Sequence, residues 1–233
     1  MLERIITETV GSNAETQRAN RSDNQVHLRV LTLEQGSPEW LLWRQSGIGS
    51  SDAPVIANGV HFGRDRVQLW KEKMGCLKPP SFSPWQNKRM RRGQIMEPDV
   101  RSWYRDFTGC EVEPLCCVHT YMDWLKASLD GWVSSSRTIL EIKCPNEKDH
   151  QTALDQGIPT KYIPQLNHLM LVTGAAHLHY LSYSPDRPRK ERFALVSVYP
   201  EVHSLRSLLR KEEIFWQCLS DKVPPEDEMF ADN

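Results

Sequence analysis

Alternating apolar and polar residues predict five β-strands in the second half of the chain. The segments CEVEPLCCVHT, DWLKASLDGWV and RTILEIKC come first, and AHLHYLSYS and RFALVSVYP follow. Runs rich in leucine, β-branched and aromatic residues between turn residues are typical of strands. Within the second segment, Asp130-Gly131 is a turn signal.

Two short helices are predicted early in the chain. SPEWLLWRQSG begins with Ser37 as N-cap and Pro38 at the first position, and Gly47 ends it. GSSDAPVIANG predicts a second helix with Ser50 or Ser51 as its cap.

Longer helices follow. Residues 84–109 carry one apolar stripe at helical spacing, in which Pro98 predicts a kink or a new helix start. Further helices are predicted near Glu147–Gln156, near Lys161–Thr173 and over EVHSLRSLLRKEEIFWQCLS. The resulting order, α-α-α-β-β-β-α-α-β-β-α, predicts an α/β fold with a mixed central β-sheet and helices on both sides. We expect residues 1–28 to form a flexible arm and residues 29–233 a single domain.

Composition narrows the class of protein only a little. A hydrophobic content of 39% and a net charge of −1 are ordinary for a globular domain. There is no apolar run long enough to span a bilayer and no signal-peptide core, so we expect a cytoplasmic protein without a membrane partner. The six cysteines include no CxxC pair and are expected to be free thiols. A nucleic-acid surface would have to be local, and KRMRR and RPRKER are the two basic clusters available.

The segment TILEIKCP carries the first chemical signal. Alternate residues of a strand share a face, so Glu141 and Lys143 point the same way, opposite to Leu140 and Ile142. Glu-x-Lys alone is also compatible with a weak ion pair on an exposed sheet face.

Asp130 favours the catalytic interpretation. If its segment forms a hairpin with RTILEIKC, its carboxylate converges with that of Glu141. Two close carboxylates repel each other unless a cation lies between them, and Mg²⁺ suits such a pair together with a substrate phosphate. A lysine one pleat away can polarise a water or steady the phosphate. The set Asp130, Glu141 and Lys143 therefore predicts metal-assisted phosphodiester hydrolysis.

This set resembles the PD-(D/E)xK nuclease signature, with Leu129 in place of the leading proline. The chain also resembles the lambda exonuclease or YqaJ-type viral recombinase family from Trp40 to about Tyr183. The segments that carry this resemblance are, in order, WLLWRQSGIGSSDAPVI, RGQIMEPDVRSWYRDFTG, ASLDGWV, LEIKCP and YIPQLNHLMLVTG. The resemblance implies that the mixed sheet is restriction-endonuclease-like.

The resemblance also implies a role for each matching residue. Asp130, Glu141 and the main-chain carbonyl of Ile142 would bind Mg²⁺, with Mn²⁺ as a substitute, and Lys143 would orient the attacking water. Two more residues would complete the catalytic centre: Glu97 would approach a second metal or its waters, and Gln165 would hold a water or phosphate. The remaining two, Arg44 and Ser51, would bind the 5′-terminal phosphate of the DNA.

The implied activity is that of a 5′→3′ exonuclease on double-stranded DNA ends. It would release 5′-mononucleotides and leave a 3′ single strand. The resemblance further implies a ring-shaped homotrimer, a partner single-strand annealing protein, and a role in phage or prophage recombination inside a bacterial host. Two alternatives remain open: an endonuclease on the same fold, and a catalytically inactive DNA-end-binding protein.

Overall fold

The computed structural model describes residues 27–78 and 84–231. Of the predicted N-terminal arm, residues 1–26 lie outside these ranges, and the first strand already begins at Leu28. All six cysteines lie within the described residues as free thiols. Across the same ranges, none of the helices has the length and hydropathy that a membrane span requires.

A seven-stranded mixed sheet forms the centre of the molecule. Its strands are β1 (Leu28–Leu31), β2 (Ile48–Gly49), β5 (Glu113–His119), β6 (Leu125–Val133), β7 (Thr138–Lys143), β8 (His177–Tyr183) and β9 (Phe193–Val198). The order is β1-β5-β6-β7-β8-β9, with β2 paired beside β6. The β6–β7 hairpin is antiparallel, whereas β7 and β8 run parallel. The remaining strands, β3 (Val60–His61) and β4 (Arg64–Asp65), form a small separate ribbon.

Helices cover both faces of this sheet. They are α1 (Pro38–Gln45), α2 (Ala53–Asn58), α3 (Arg66–Lys73), α4 (Pro84–Thr108), α5 (Glu147–Asp155), α6 (Ile163–Thr173) and α7 (Val202–Ser220). Short 3₁₀ helices lie at Thr160–Tyr162, Arg189–Glu191 and Asp227–Phe230. The predicted fold, a mixed sheet between helices, is confirmed.

The two faces of β7 show how the layers pack. Leu140 and Ile142 are buried against Val100 and Tyr104 of α4. On the other face, Ile139 is buried in the larger core that includes residues of α6. Both faces of the strand are therefore covered, and the exposed sheet face considered for Glu141 is excluded because its side chain is only 2% exposed.

The local predictions differ from the structure at several positions. Asp130-Gly131 lies inside β6, and the hairpin turns after Val133. The long helix runs through Pro98 without a new start, so of the two outcomes predicted for this proline the kink stays a prediction. The cap residue of α2 is Asp52 rather than Ser50 or Ser51. The predictions at these three positions relied on local preferences of turn, proline and capping residues. Tertiary contacts can override such preferences.

The hydrophobic pattern did not predict the short strands β1 to β4, nor helix α3. Its signal is a capping box, in which Asp65 accepts from the N–H of Gln68 at 2.7 Å and the Gln68 side chain accepts from the N–H of Asp65 at 3.0 Å. The spacing of Asp65 and Gln68, three residues apart, was therefore the sequence signal for the start of this helix.

Candidate active site

The site lies where β6 and β7 separate. These strands pair from Val133↔Thr138 to Gly131↔Leu140, and the first half of β6 then pairs with β2 through Ile48↔Leu125. Asp130 is the β6 residue at the point of separation. Its Oδ2 accepts a hydrogen bond from the N–H of Ile142 at 2.8 Å. The split between the strands leaves room for side chains from both.

A bulge in β6 directs Asp130 into this split. Glu113 faces Trp132 and Leu115 faces Leu129, so β6 contains one more residue than β5 across this interval. Such a bulge redirects side chains and often lies beside an active site. Gly131 is required there, because a Cβ would come within 2.5 Å of a Val112 methyl carbon.

Glu141 lies in the interior beside Asp130. Its Oε1 accepts hydrogen bonds from the ammonium of Lys143 and from Nε2 of Gln165, the latter at 2.8 Å. Lys143 follows two residues later on β7, and Gln165 projects from the first turn of α6. One buried carboxylate is therefore bonded to both predicted polar partners. Lys143 also lies beside an aromatic ring, with its Nζ 5.7 Å from the ring centroid of Tyr162.

Helix α4 supplies the opposite wall of the site. Glu97 forms an ion pair with Arg101, one helical turn further on. The same arginine donates from Nε to the main-chain oxygen of Asp130 at 2.5 Å. Arg101 thus links α4 directly to the bulge.

The electrostatics of the site are unbalanced. Burial raises the pKa of Asp130 well above its usual range, and the carboxylates of Glu141 and Glu97 raise it further. Burial also raises the pKa of Glu97, against the lowering effect of Arg101. Burial disfavours the ammonium form of Lys143, but Glu141 and Asp130 raise its pKa above the ordinary value. Three carboxylates thus share a site with two cationic side chains, and an additional cation would relieve their repulsion.

The donor set suits a hard divalent cation. Among residues 27–78 and 84–231, no three His, Cys, Asp or Glu side chains are arranged to hold a metal ion by themselves. Magnesium does not require such a cage, because it commonly takes one or two carboxylates and completes its shell with water and substrate phosphate. Asp130, Glu141 and the Ile142 carbonyl offer that kind of oxygen set, so these residues fit the predicted ion.

The predicted phosphate-binding pair is also in contact. Arg44, in the last turn of α1, donates from Nη2 to Oγ of Ser51 at 2.6 Å. The Arg44 guanidinium carbon lies 4.5 Å from the ring centroid of Trp40, whose Nε1 donates to Oγ of Ser128 at 2.7 Å. Ser128 precedes Asp130 by two residues on β6, which is roughly 7 Å along a strand. Contacts through Trp40 and Ser128 therefore connect the pair to the strand that carries Asp130.

Buried charges hold this neighbouring region in place. The ammonium of Lys73 donates to the main-chain oxygens of Arg44 at 3.0 Å and Gly47 at 2.7 Å. It also contacts Oδ2 of Asp52 at 2.6 Å. Lys126 donates from Nζ to the oxygen of Trp43 at 2.9 Å, and burial together with Lys73 lowers its pKa to about 8. Two lysines thus bind the carbonyl end of α1, where cations are favourable.

The two basic clusters meet at the surface near the end of β7. Arg92, from the first cluster, forms an ion pair with Asp186 at 2.7 Å, just before the second cluster begins. Gly93 packs near Cys144, the residue that follows Lys143. Exposed members of the clusters are Lys88, Arg91, Arg92, Arg189, Lys190 and Arg192. These six residues are together called the basic surface.

The candidate site residues named from the sequence do meet in space, but the residues that support them were not predicted. The structure brings Asp130, Glu141, Lys143, Gln165 and Glu97 together, and it places Arg44 against Ser51. Arg101, Lys73 and Asp52 were missed. The spacing of Glu97 and Arg101, four apart on a helix, was the one local sign available.

Solved structures establish the class of fold. The chain superposes on the alkaline exonuclease LHK-Exo from Laribacter hongkongensis with a TM-score of 0.69 and 22% identity, covering 80% of this chain and 94% of that one. A phage-related exonuclease from Haemophilus somnus 129PT gives a TM-score of 0.54 at 11% identity, over 76% and 96% of the two chains. The class is the restriction-endonuclease-like fold of the alkaline exonucleases.

The sequence identifies the family within that class. Residues 39–176 match the YqaJ-like viral recombinase domain, and the chain belongs to that family. It is 29% identical over 201 residues to the YqaJ protein of Bacillus subtilis (strain 168), covering 82% of this chain but 57% of that protein. The predicted resemblance is therefore confirmed.

Proposed function

We propose that this protein is a divalent-metal-dependent 5′→3′ exonuclease that degrades one strand of linear duplex DNA. It releases 5′-mononucleotides and leaves a 3′ single strand. The observation that carries the proposal is the convergence of Asp130, Glu141 and Lys143 where β6 and β7 separate. The related LHK-Exo has been solved in complex with dAMP, a mononucleotide, which is consistent with such a product.

Asp130, Glu141 and the main-chain carbonyl of Ile142 would hold Mg²⁺, or Mn²⁺ in its place, and Glu97 would contact a second ion or its waters. When bound, the ion supplies charge neutralisation at the phosphate and lowers the pKa of a coordinated water. The like-charge crowding around Asp130 supports this assignment.

The remaining roles belong to side chains. Lys143 carries an ammonium in contact with Glu141, so it can orient the attacking water or stabilise charge on the phosphate, but it does not serve as the base while protonated. Gln165 holds the Glu141 carboxylate through its amide N–H, which donates to the same oxygen that Lys143 contacts. This bond fixes the rotamer of a carboxylate that must face the scissile phosphate.

The proposed requirement for a DNA end depends on Arg44 and Ser51. A guanidinium presents several N–H donors in a fixed fork, which matches a terminal phosphate, and the Ser51 hydroxyl adds another donor. We propose that Arg44 and Ser51 hold the 5′ phosphate so that the first internucleotide phosphate reaches the catalytic set. This arrangement favours an exonuclease over the endonuclease alternative.

The proposals for the oligomeric state and for the partner protein are based on the family resemblance. We propose a homotrimeric ring around the DNA, a single-strand annealing protein as partner, and a recombination role in the cytoplasm of a bacterial host. The basic surface made by the clusters around Arg92 and Lys190 supports a DNA path that passes beside the site.

The first test is digestion of linear duplex labelled at the 5′ or the 3′ end, beside a closed circle, with and without Mg²⁺. We expect early release of the 5′ label from linear DNA only, lost without Mg²⁺ and in Lys143→Ala. Cutting of the circle would support the endonuclease. Binding of ends without metal-dependent cleavage would support the inactive DNA-binding protein.

A second test addresses the 5′ end. Wild-type protein should digest 5′-phosphorylated duplex faster than 5′-hydroxyl duplex, and Arg44→Ala should reduce that preference by about tenfold, the effect of ~1.4 kcal/mol. Arg29→Ala, an exposed arginine on edge strand β1, is the matched control. Equal preference in Arg44→Ala and wild type would remove Arg44 from the proposed phosphate site.

A further inference from the structure

Arg101 makes two contacts that tie the site together. From α4, its Nε donates to the main-chain oxygen of Asp130 at 2.5 Å, and its Nη2 donates to Oε1 of Glu97. Its side chain is only 16% exposed. One guanidinium thus binds groups from two elements that are far apart in the sequence.

These contacts differ from those of an ordinary helix-surface pair. An exposed pair four residues apart contributes only about 0.3–0.5 kcal/mol and requires no third partner. Here the third partner is the carbonyl of the residue where β6 leaves its ladder with β7. The guanidinium fork fixes the direction of both acceptors, which a lysine ammonium does not do.

We propose that Arg101 is a positioning residue that sets the distance and orientation between Glu97 and Asp130, and so forms the second wall of the cation site. It acts through these two residues and does not contact the substrate. The inference rests on the proposed function, because its consequence is measured as cation binding and cleavage. It assigns a role to a residue that received none from the sequence, although Arg101 lies in one of the segments that carry the family resemblance.

The position of Arg101 supports this role. Val100 and Tyr104, its neighbours on α4, are buried against the sheet, so the helix cannot easily move relative to β6. Loss of the guanidinium would therefore leave the backbone in place while Glu97 loses its partner. Supporting contacts of this kind typically alter metal affinity or activity by about 10–100-fold.

The test compares Arg101→Lys and Arg101→Ala with wild type. Arg105→Lys, one turn further on α4 and 46% exposed, is the matched control. Binding of Mn²⁺ alone is measured from the electron paramagnetic resonance of the free ion, and cleavage is measured across a Mg²⁺ titration. A thermal melt in EDTA reports on folding.

We expect Mn²⁺ affinity to fall about tenfold or more in both Arg101 variants, with melting of Arg101→Lys close to wild type. Addition of ethylguanidinium to Arg101→Ala should restore part of the Mn²⁺ binding, whereas ethylammonium should not. Arg105→Lys should match wild type throughout. A structural role alone would not produce rescue that depends on the guanidinium shape.

Two failures are distinguishable. If wild type binds Mn²⁺ and cleaves DNA, and both Arg101 variants do so equally well, this inference is overturned while the proposed function stands. If wild type itself neither binds Mn²⁺ nor cleaves, the proposed function fails and this inference fails with it.

Discussion

Two aspartates in adjacent regions of the molecule have opposite electrostatic surroundings. Burial would raise the pKa of Asp52, but Lys73 and Arg64 hold it below the ordinary value. Burial raises the pKa of Asp130, and Glu141 raises it further. The region around Asp52 is balanced in charge within the protein, whereas the region around Asp130 is not. The first region therefore holds its shape without a further charge, whereas the imbalance at the second supports the proposed cation site.

The strongest test of this comparison exchanges each aspartate for its amide. Asp130→Asn should lower the cleavage rate by about 10³-fold, because several kcal/mol of charge stabilisation are lost. The same variant should melt at the wild-type temperature or above it in EDTA, because one repelling carboxylate is gone. Cleavage assays and thermal melts measure both. A drop of several degrees in the melting temperature of Asp130→Asn would contradict the comparison.

Asp52→Asn is the control with the opposite expectation. It weakens contacts with two cations, so the protein should melt at a lower temperature in EDTA. The sign of its pH dependence follows from its lowered pKa. The stabilisation by Asp52 is complete above its unfolded pKa of about 3.9 and is lost as the pH falls through its folded pKa. The difference between wild type and Asp52→Asn should therefore shrink in acid.

Removing the Lys73 ammonium beside Asp52 should have the next largest effect, in this case on the free energy of unfolding. Lys73→Met leaves Asp52 buried with a weaker partner, and it also removes the donor to the carbonyls of Arg44 and Gly47. Removing one partner of a buried ion pair costs about 3–5 kcal/mol. Because Arg64 still contacts Asp52, we expect a loss of about 3 kcal/mol. Urea unfolding measures it. Exposed Lys71→Met on the same helix should change little, and equal effects would refute the role given to Lys73.

The two regions also differ in how far the sequence could predict them. Asp130, Glu141 and Lys143 lie within fourteen consecutive residues whose strand alternation is visible in the sequence, so their convergence followed from a hairpin. Lys73 gives no such sign. Its burial depends on α1, on the loop before α2 and on α3 meeting in space, and α3 itself was missed. Residues whose partners come from distant parts of the chain cannot be recognised from local sequence patterns.

Asp130-Gly131 predicted a turn, but the structure places the pair in a bulged strand. A glycine after aspartate favours a tight turn, yet the same pair also suits a bulge. The close approach of Val112 and Leu140 decides between them, and it is known only from the folded chain. Long, strongly patterned elements such as α7 and β8 were predictable, because their own periodicity matches the layers that cover them.

The bulge provides the third test. Gly131→Ala places a Cβ 2.5 Å from a Val112 methyl carbon and 3.0 Å from the Leu140 Cβ. Such overpacking should cost about 1–3 kcal/mol, and it should also reduce cleavage because Asp130 moves with the strand. Gly93→Ala on α4 is the matched control, since its Cβ would make only ordinary contact with Cys144. That variant should be as stable as wild type or gain up to about 1 kcal/mol. Wild-type stability in Gly131→Ala would show that the bulge is not tightly packed.

Exposed charges should have the smallest effect on stability, unlike the buried carboxylates of Asp52 and Asp130. Arg189 and Lys190 lie in solvent, and exposed charges contribute at most about 1 kcal/mol to folding. Changing both to Gln should leave the melt unchanged but weaken DNA binding. Each lost phosphate contact should make the slope of log affinity against log salt shallower by about 0.9. Arg29→Gln on the distant edge strand is the control. An unchanged slope in the double variant would mean that this part of the basic surface points away from the DNA, and that the path lies nearer the cluster around Arg92.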